Sequence, residues 1–276
     1  MSLKSLDKIG NDLIEKAMSD KPMFHFGLSM FDDLLDGVHA HRVNLLSGDP
    51  GSGKSTFIGL LADNAASNGA FVFIHSYELA NSCYFAKSLA RASKGRITVK
   101  GISKEENADL VKEIGQNYLK EMSGNLVFLE ETDTVKDLET HVKARHKQYP
   151  DQPILVICDY IQVASSDRLK ESNDERLQIK EVLGTLRKIA KVDNVAVFAV
   201  SAVTRTSYQK ATPSLNALSG SSSLEYGCDT CIHLSTEADD DDLMRPIELT
   251  FLKNRFGAKG MASFVFDVEH ADFIEA

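Results

Sequence analysis

No stretch of this 276-residue chain is long and apolar enough to span a bilayer, and residues 1–20 are amphipathic rather than shaped like a secretion signal. Membrane and secreted classes are set aside on that ground. Cysteine is scarce, four in all, which argues against a disulfide scaffold and for a reducing, cytoplasmic setting. Cys228 and Cys231 form one CxxC pair, but a zinc site wants a second, and Cys83 and Cys158 lie far off in sequence. The pair therefore reads as small buried strand residues. Positive charge is also short: 31 Lys and Arg against 40 Asp and Glu leave a net charge of −9. Composition thus supplies no overall basic surface for nucleic acid. It does not exclude a local one, because much of the acidic excess sits in the run EADDDD at residues 237–242, a solvated loop.

What is present is an ordinary globular balance, 43% apolar and 26% charged, built around one complete pattern. Gly48-Asp49-Pro50-Gly51-Ser52-Gly53-Lys54-Ser55 fits GxxxxGK[ST], with Thr56 following. Val43, Leu45 and Leu46 lead in as a strand; Phe57, Ile58, Leu60, Leu61 and Ala65 follow at helical spacing. Glycines there let successive backbone N–H groups turn inward around a phosphate, and the helix adds its positive end. Lys54 is placed to reach the β and γ phosphates, and the Ser55 hydroxyl to complete a Mg²⁺ shell. The pattern implies a nucleoside triphosphate site.

Further along, residues 70–76 (AFVFIHS) and 153–158 (PILVIC) are continuous apolar runs, expected as buried parallel strands. The first leads into Tyr77-Glu78-Leu79. Glu78 is either a group that orients or deprotonates an attacking water, or an acid near the N-cap of the helix starting near Ala80. The second run ends in Asp159, in the form of a Walker B strand. An acid ending a buried strand is common without any metal role, but paired with the phosphate loop it is expected to hold Mg²⁺. Residues 125–129 and 195–200 read as further strands, and residues 104–121, 134–147 and 176–190 as helices. The expected fold is α/β: a mostly parallel central sheet flanked by helices, closed by antiparallel strands at 228–234, 247–253 and 262–267. Leu6, Ile9, Leu13, Ile14 and Ala17 mark a separate amphipathic helix over 4–20, to fold back on its own domain or lie on a neighbouring subunit.

Two polar loops, 165–174 and 207–223, leave the carboxyl ends of neighbouring strands. Arg168, Lys170, Arg205 and Lys210 in and beside them either meet a nucleic-acid backbone or are solvated surface. Lys253 and Arg255, two apart at a strand end before a glycine turn, suit an arginine finger supplied to a neighbour's phosphates, or are a surface cation pair.

Taken together, GDPGSGKST, HSYEL, DYIQV, SAVTR, SSSLEYGCDT and KNRFGAKG resemble, in order, the RecA-like ATPase domain of DnaB-type replicative helicases from about residue 22 to the end. The resemblance implies a RecA-like P-loop NTPase over residues 22–276, with residues 1–21 as the linker-type helix that docks on a neighbour. It assigns the catalytic glutamate to Glu78, the Walker B acid to Asp159, and the finger to Lys253 and Arg255. It implies ATP and Mg²⁺ as cofactors, single-stranded DNA on the two loops, a hexameric ring of this chain, and other replication proteins as partners. Departures are visible too. Ala202 stands where the family's SQLNR has glutamine, and KNRFG is also the form of RadA-type branch-migration ATPases. The family's amino-terminal collar is expected to have no counterpart here. Two functions follow as expectations: an ATP-driven motor on single strands, or a DnaB/RadA-like ATPase with a regulatory, loading or recombination role and no unwinding. A phosphate-transferring P-loop enzyme is weaker, since nothing resembles a lid or an acceptor site.

Overall fold

The structure, a computed structural model, describes residues 20–122, 124–130, 132–164, 175–202, 226–239 and 241–276, with positions 10, 11, 14, 15, 18 and 224. Five strands, each parallel to its neighbours, make one half of a single sheet: β1 (Val43–Gly48), β2 (Phe71–Ser76), β3 (Leu126–Phe128), β4 (Ile154–Asp159) and β5 (Val195–Ser201). β6 (Thr230–Ser235) continues parallel beside β1, and β7 (Met244–Asn254), β8 (Met261–Asp267) and β9 (Asp272–Glu275) close the sheet antiparallel. The order across the sheet is β3-β2-β4-β5-β1-β6-β7-β8-β9. The α/β architecture expected from the sequence, a mostly parallel sheet closed by antiparallel strands, is what the chain adopts.

Strand composition follows from position. Every residue of β1, β2, β4 and β5 is buried, as strands covered on both faces must be. β7 instead alternates exposed and buried from Met244 to Leu249, the signature of a sheet with one face wet. Helices α1 (Ser29–Leu35), α2 (Lys54–Ser67), α3 (Asn81–Ala92) and α4 (Ala108–Met122) cover one face. There Phe57 of α2 meets the rings of Phe31, Phe264 and Phe273 at 5.4, 5.9 and 5.0 Å. Helices α5 (Val135–Gln148) and α6 (Glu175–Ile189) cover the other face. α5 starts on a capping box, with Thr134 Oγ1 accepting from Asp137 N at 3.3 Å and Asp137 Oδ2 accepting from Thr134 N at 2.8 Å.

Three expectations change. The helix read over 104–121 opens with a 3₁₀ turn, Glu105–Asn107, before α4 begins. Residues 262–267 do not end the sheet, because β9 adds an edge strand that carries Phe273 into the core. The strand read from Cys228 begins only at Thr230. Of the helix expected over 4–20, Gly10, Asn11, Ile14, Glu15 and Met18 are described as helical, and Ile14 and Met18 stand exposed. Arg168, Lys170, Arg205 and Lys210 lie outside the described residues. Among the described residues no helix is long and apolar enough to cross a membrane.

The topology fixes two opposed edges. β1, β2, β4 and β5 deliver their carboxyl ends to one edge, the usual ligand-binding side of a parallel sheet. β7 runs the other way against β6, so Asn254 pairs with Thr230 while Leu234 pairs with Gly48. The end of β7 therefore lies at the amino-terminal edge, and Arg255, one residue beyond it and level with Asp229, is about 17 Å along the sheet from the phosphate loop.

Candidate functional site

A cavity of about 530 Å³ opens at the carboxyl edge, lined by Gly48, Gly51, Gly53, Lys54, Ser55 and Thr56 on one side and by Glu78 and Asp159 across from them. The loop is shaped by its glycines. Gly53, at φ +83°, is the N-cap of α2, a left-handed position that favours glycine. Around it, residues 48–53 curl so that the Lys54 ammonium donates to the carbonyls of Gly48 (2.9 Å) and Asp49 (2.8 Å). Burial pulls the Lys54 pKa below its ordinary value; Asp159, Asp49 and Glu78 oppose the shift. Ser52 Oγ is buried with no hydrogen-bond partner among the described residues.

Ser76 and Asp159 are register partners at the ends of adjacent β2 and β4. The turn beyond Ser76 is pinned: Tyr77 N donates to Asp159 O at 2.7 Å, and Leu79 N to Ser76 Oγ at 3.1 Å. Glu78 is thereby held exposed at the mouth of the cavity. It does not cap the following helix, whose N-cap is Ala80 and carries no side-chain cap bond. It stands two residues before that N-cap, in the region where the sequence placed an acid of the helix start.

Asp159 is fully enclosed. Burial raises its pKa above the usual carboxylate range, opposed by the hydroxyls of Tyr84 and Ser55 and the ammonium groups of Lys54 and Lys87. Its Oδ2 accepts the Tyr84 hydroxyl, while Oδ1 is buried with no partner among the described residues. A free carboxylate oxygen beside a serine hydroxyl, in a loop rich in backbone donors, is a donor set that fits a Mg²⁺–triphosphate. It offers the cation hard oxygen ligands and leaves the rest of its shell to phosphate and water. Among the described residues no cluster of three or more His, Cys, Asp or Glu could hold a metal by itself.

Sequence reasoning missed three residues here. Lys87, on α3, lines the cavity and donates to Thr56 Oγ1 at 3.0 Å; burial lowers its pKa, with Asp159 the main opposing charge. Tyr84 lies one turn before it on the same face. Arg245, on β7, reaches back to donate from Nη1 to Gly51 O at 3.1 Å and from Nε to Asp242 O at 2.8 Å. Only the spacing of Tyr84 and Lys87, three apart on the helix after Glu78, could have signalled them. Ala202 presents a methyl to the cavity, and its backbone N donates to Gln162 Oε1 at 3.2 Å.

Lys253 and Arg255 are not part of this cavity. Lys253 is half-buried rather than exposed, donating to Cys228 O at 2.7 Å. The Arg255 side chain is 46% exposed and its Nη1 donates to Asp229 Oδ1 at 2.6 Å. Asp229 Oδ2 in turn accepts from Val43 N at 3.0 Å, which puts both cations beside the start of β1. Cys228 and Cys231 are both buried in the core between the sheet and α6.

Residues 24–275 match the sequence-family model of the DnaB-like helicase C terminal domain. Among curated proteins, the chain is 28% identical over 233 residues to the DNA repair protein RadA of Mycobacterium tuberculosis, covering 84% of this chain and 39% of that protein. It is 25% identical over 241 residues to the replicative DNA helicase DnaB of Buchnera aphidicola, covering 84% and 51%. The chain thus spans between two-fifths and about half of these relatives. A solved ATPase domain superposes over the full length of both chains, with TM-score 0.83 at 22% identity. A DnaB-like replicative helicase, solved in a study of its interactions with primase, superposes over all of this chain and 68% of its own, with TM-score 0.82 at 21% identity. At these identities the superpositions establish the fold alone.

Proposed function

Because the chain belongs to the family of DnaB-like helicase C-terminal domains, we propose that this DnaB-family ATPase hydrolyses ATP with Mg²⁺ and works as a ring on single-stranded DNA. The observation that carries the reading is the meeting of Lys54, Ser55, Glu78 and Asp159 in one cavity, with Arg255 at the opposite end of the sheet. The loop amides of residues 48–56 cradle the phosphates, and Lys54 and Lys87 neutralise their charge. Ser55 and Asp159 hold the cation, which when bound draws charge from the phosphate oxygens. Glu78, at the mouth, orients the attacking water. Arg255, about 17 Å from its own loop, serves the nucleotide of the next subunit, with Lys253 beside it.

Ring formation and turnover are coupled on this arrangement, since each site is completed by a neighbour. Residues 22–276 form the motor domain. Residues 1–21 form a linker helix for the adjacent copy, a role supported by the exposure of Ile14. Arg168, Lys170, Arg205 and Lys210 contact the DNA strand, and other replication proteins act on the assembly. The test is ATP turnover of the purified chain with and without oligo(dT). Stimulation that fades steeply with salt, and is absent from Lys54→Ala, supports the reading; turnover indifferent to single strands contradicts the motor.

A second reading is favoured by one observation: Ala202 puts a methyl into the cavity where the DnaB pattern has glutamine. On that reading the chain is a DnaB/RadA-like ATPase with a loading, regulatory or recombination role. DNA-stimulated hydrolysis without strand separation on a forked substrate would select it.

A further inference from the structure

Tyr84 is absent from every motif that the sequence offered, yet it touches the carboxylate most central to the cavity. The two oxygens of Asp159 are inequivalent: Oδ2 accepts the Tyr84 hydroxyl, and Oδ1 is buried without a partner among the described residues. The last torsion of an aspartate is soft, with broad wells, so a hydrogen bond to one oxygen decides where the other points. The tyrosine is itself held. It is 2% exposed, its ring centroid lies 6.2 Å from that of Phe128, and it lies over Gly59 of α2, where even a Cβ would come within 3.5 Å of Cδ1. Tyr84 therefore ties α3 to the end of β4 across the body of α2, and Asp159 has little freedom to turn.

We propose that Tyr84 is a positioning residue for the nucleotide's divalent cation: its hydroxyl fixes the rotation of Asp159 so that Oδ1 is presented to the cation's shell. The inference rests on the Mg²⁺–nucleotide reading above and goes beyond it, because a phenol in this place belongs to none of the motifs that suggested that reading. Outer partners of metal-holding carboxylates act in this way, and their loss costs roughly 10- to 100-fold in metal affinity. Tyr84→Phe keeps the ring against Gly59 and Phe128 and removes only the donor.

The experiment is the affinity of the full chain for a fluorescent ATP analogue across a Mg²⁺ titration and in EDTA. It compares wild type with Tyr84→Phe, Tyr84→Met and Asp159→Asn. In Tyr84→Phe and Tyr84→Met the affinity in EDTA is expected to be unchanged. The Mg²⁺ concentration giving half of the metal-dependent gain rises about tenfold. Asp159→Asn is expected to abolish that gain, and adding Tyr84→Phe to it changes nothing more. An unshifted Mg²⁺ midpoint in both Tyr84 variants overturns the proposal. So does an equal loss with and without Mg²⁺, which marks Tyr84 as a support of the fold only. A wild-type protein with no Mg²⁺-dependent gain at all overturns the nucleotide reading first, and the inference with it.

Discussion

Arg255 Nη1 lies 2.6 Å from Asp229 Oδ1, and Asp229 is itself anchored on the backbone of Val43, the first residue of the strand that ends in the phosphate loop. One strand thus carries the phosphate loop at its end and the docking point of the exposed guanidinium at its start. On the proposed arrangement, Arg255→Ala removes a cation that, beyond its pairing with Asp229, acts on a neighbour's transition state. Turnover should fall roughly 10³-fold or more while nucleotide affinity stays as in wild type. Steady-state hydrolysis and analogue binding measured side by side check this, and unchanged turnover would remove Arg255 from the site.

Gly53 carries a second prediction. At φ +83° its Cβ would stand 2.9 Å from both Phe266 Cε1 and Phe273 Cζ, two rings stacked at 4.6 Å. Gly53→Ala should therefore cost roughly 2–4 kcal/mol, from left-handed strain and overpacking together. Gly69, at φ +86° with nothing within 4 Å of its Cβ position, provides the control. Gly69→Ala should cost only about 1–2 kcal/mol. Equal losses in chemical denaturation would show that the rings yield freely.

How much of this was legible beforehand depended on how local each feature is. The loop at 48–56 was readable because glycine, lysine and serine are fixed there by backbone geometry and charge, whatever surrounds them. The place of Asp159 was readable because an acid ends a continuous apolar run downstream of a phosphate-loop pattern; without that pattern such an acid is common and says little. Tyr84, Lys87 and Arg245 were not: they reach the cavity through the packing of α3 over α2 and the antiparallel return of β7, relations between segments distant in sequence. β9 escaped for a different reason, since four residues, Asp-Phe-Ile-Glu, are too few to display a strand period. Arg255 was readable as a cation at a strand end, but its distance from its own loop needed the sheet order.

His75 yields a prediction in pH. Its ring lies 4.1 Å from that of Tyr77, whose hydroxyl is 3.1 Å from Nδ1, and Nε2 is buried with no partner among the described residues. Burial pulls its pKa from 6.5 to about 4, with Asp133 the leading opposing charge. The folded value lies below the unfolded one, so between them the unfolded chain binds more protons. Stability is therefore lost as pH falls from about 6.5 to about 4, by at most roughly 3 kcal/mol, and that loss levels off below. Denaturation of wild type and His75→Gln at about pH 7 and about pH 4.5 checks it. The variant should lose distinctly less stability on acidification, and an equal loss in both would place the protons elsewhere.

The central claim is that each triphosphate is cleaved at a seam between copies of this chain, and mixing two inactive variants tests it most directly. Lys54→Ala lacks the phosphate cation and Arg255→Ala the donated one, so each alone should be nearly inactive. An equal mixture allowed to reassemble places an intact loop against an intact arginine at roughly a quarter of the seams. Hydrolysis should then recover toward that fraction of wild type. A mixture as inactive as its components, beside a wild-type protein that turns over ATP as a single copy, would contradict the account.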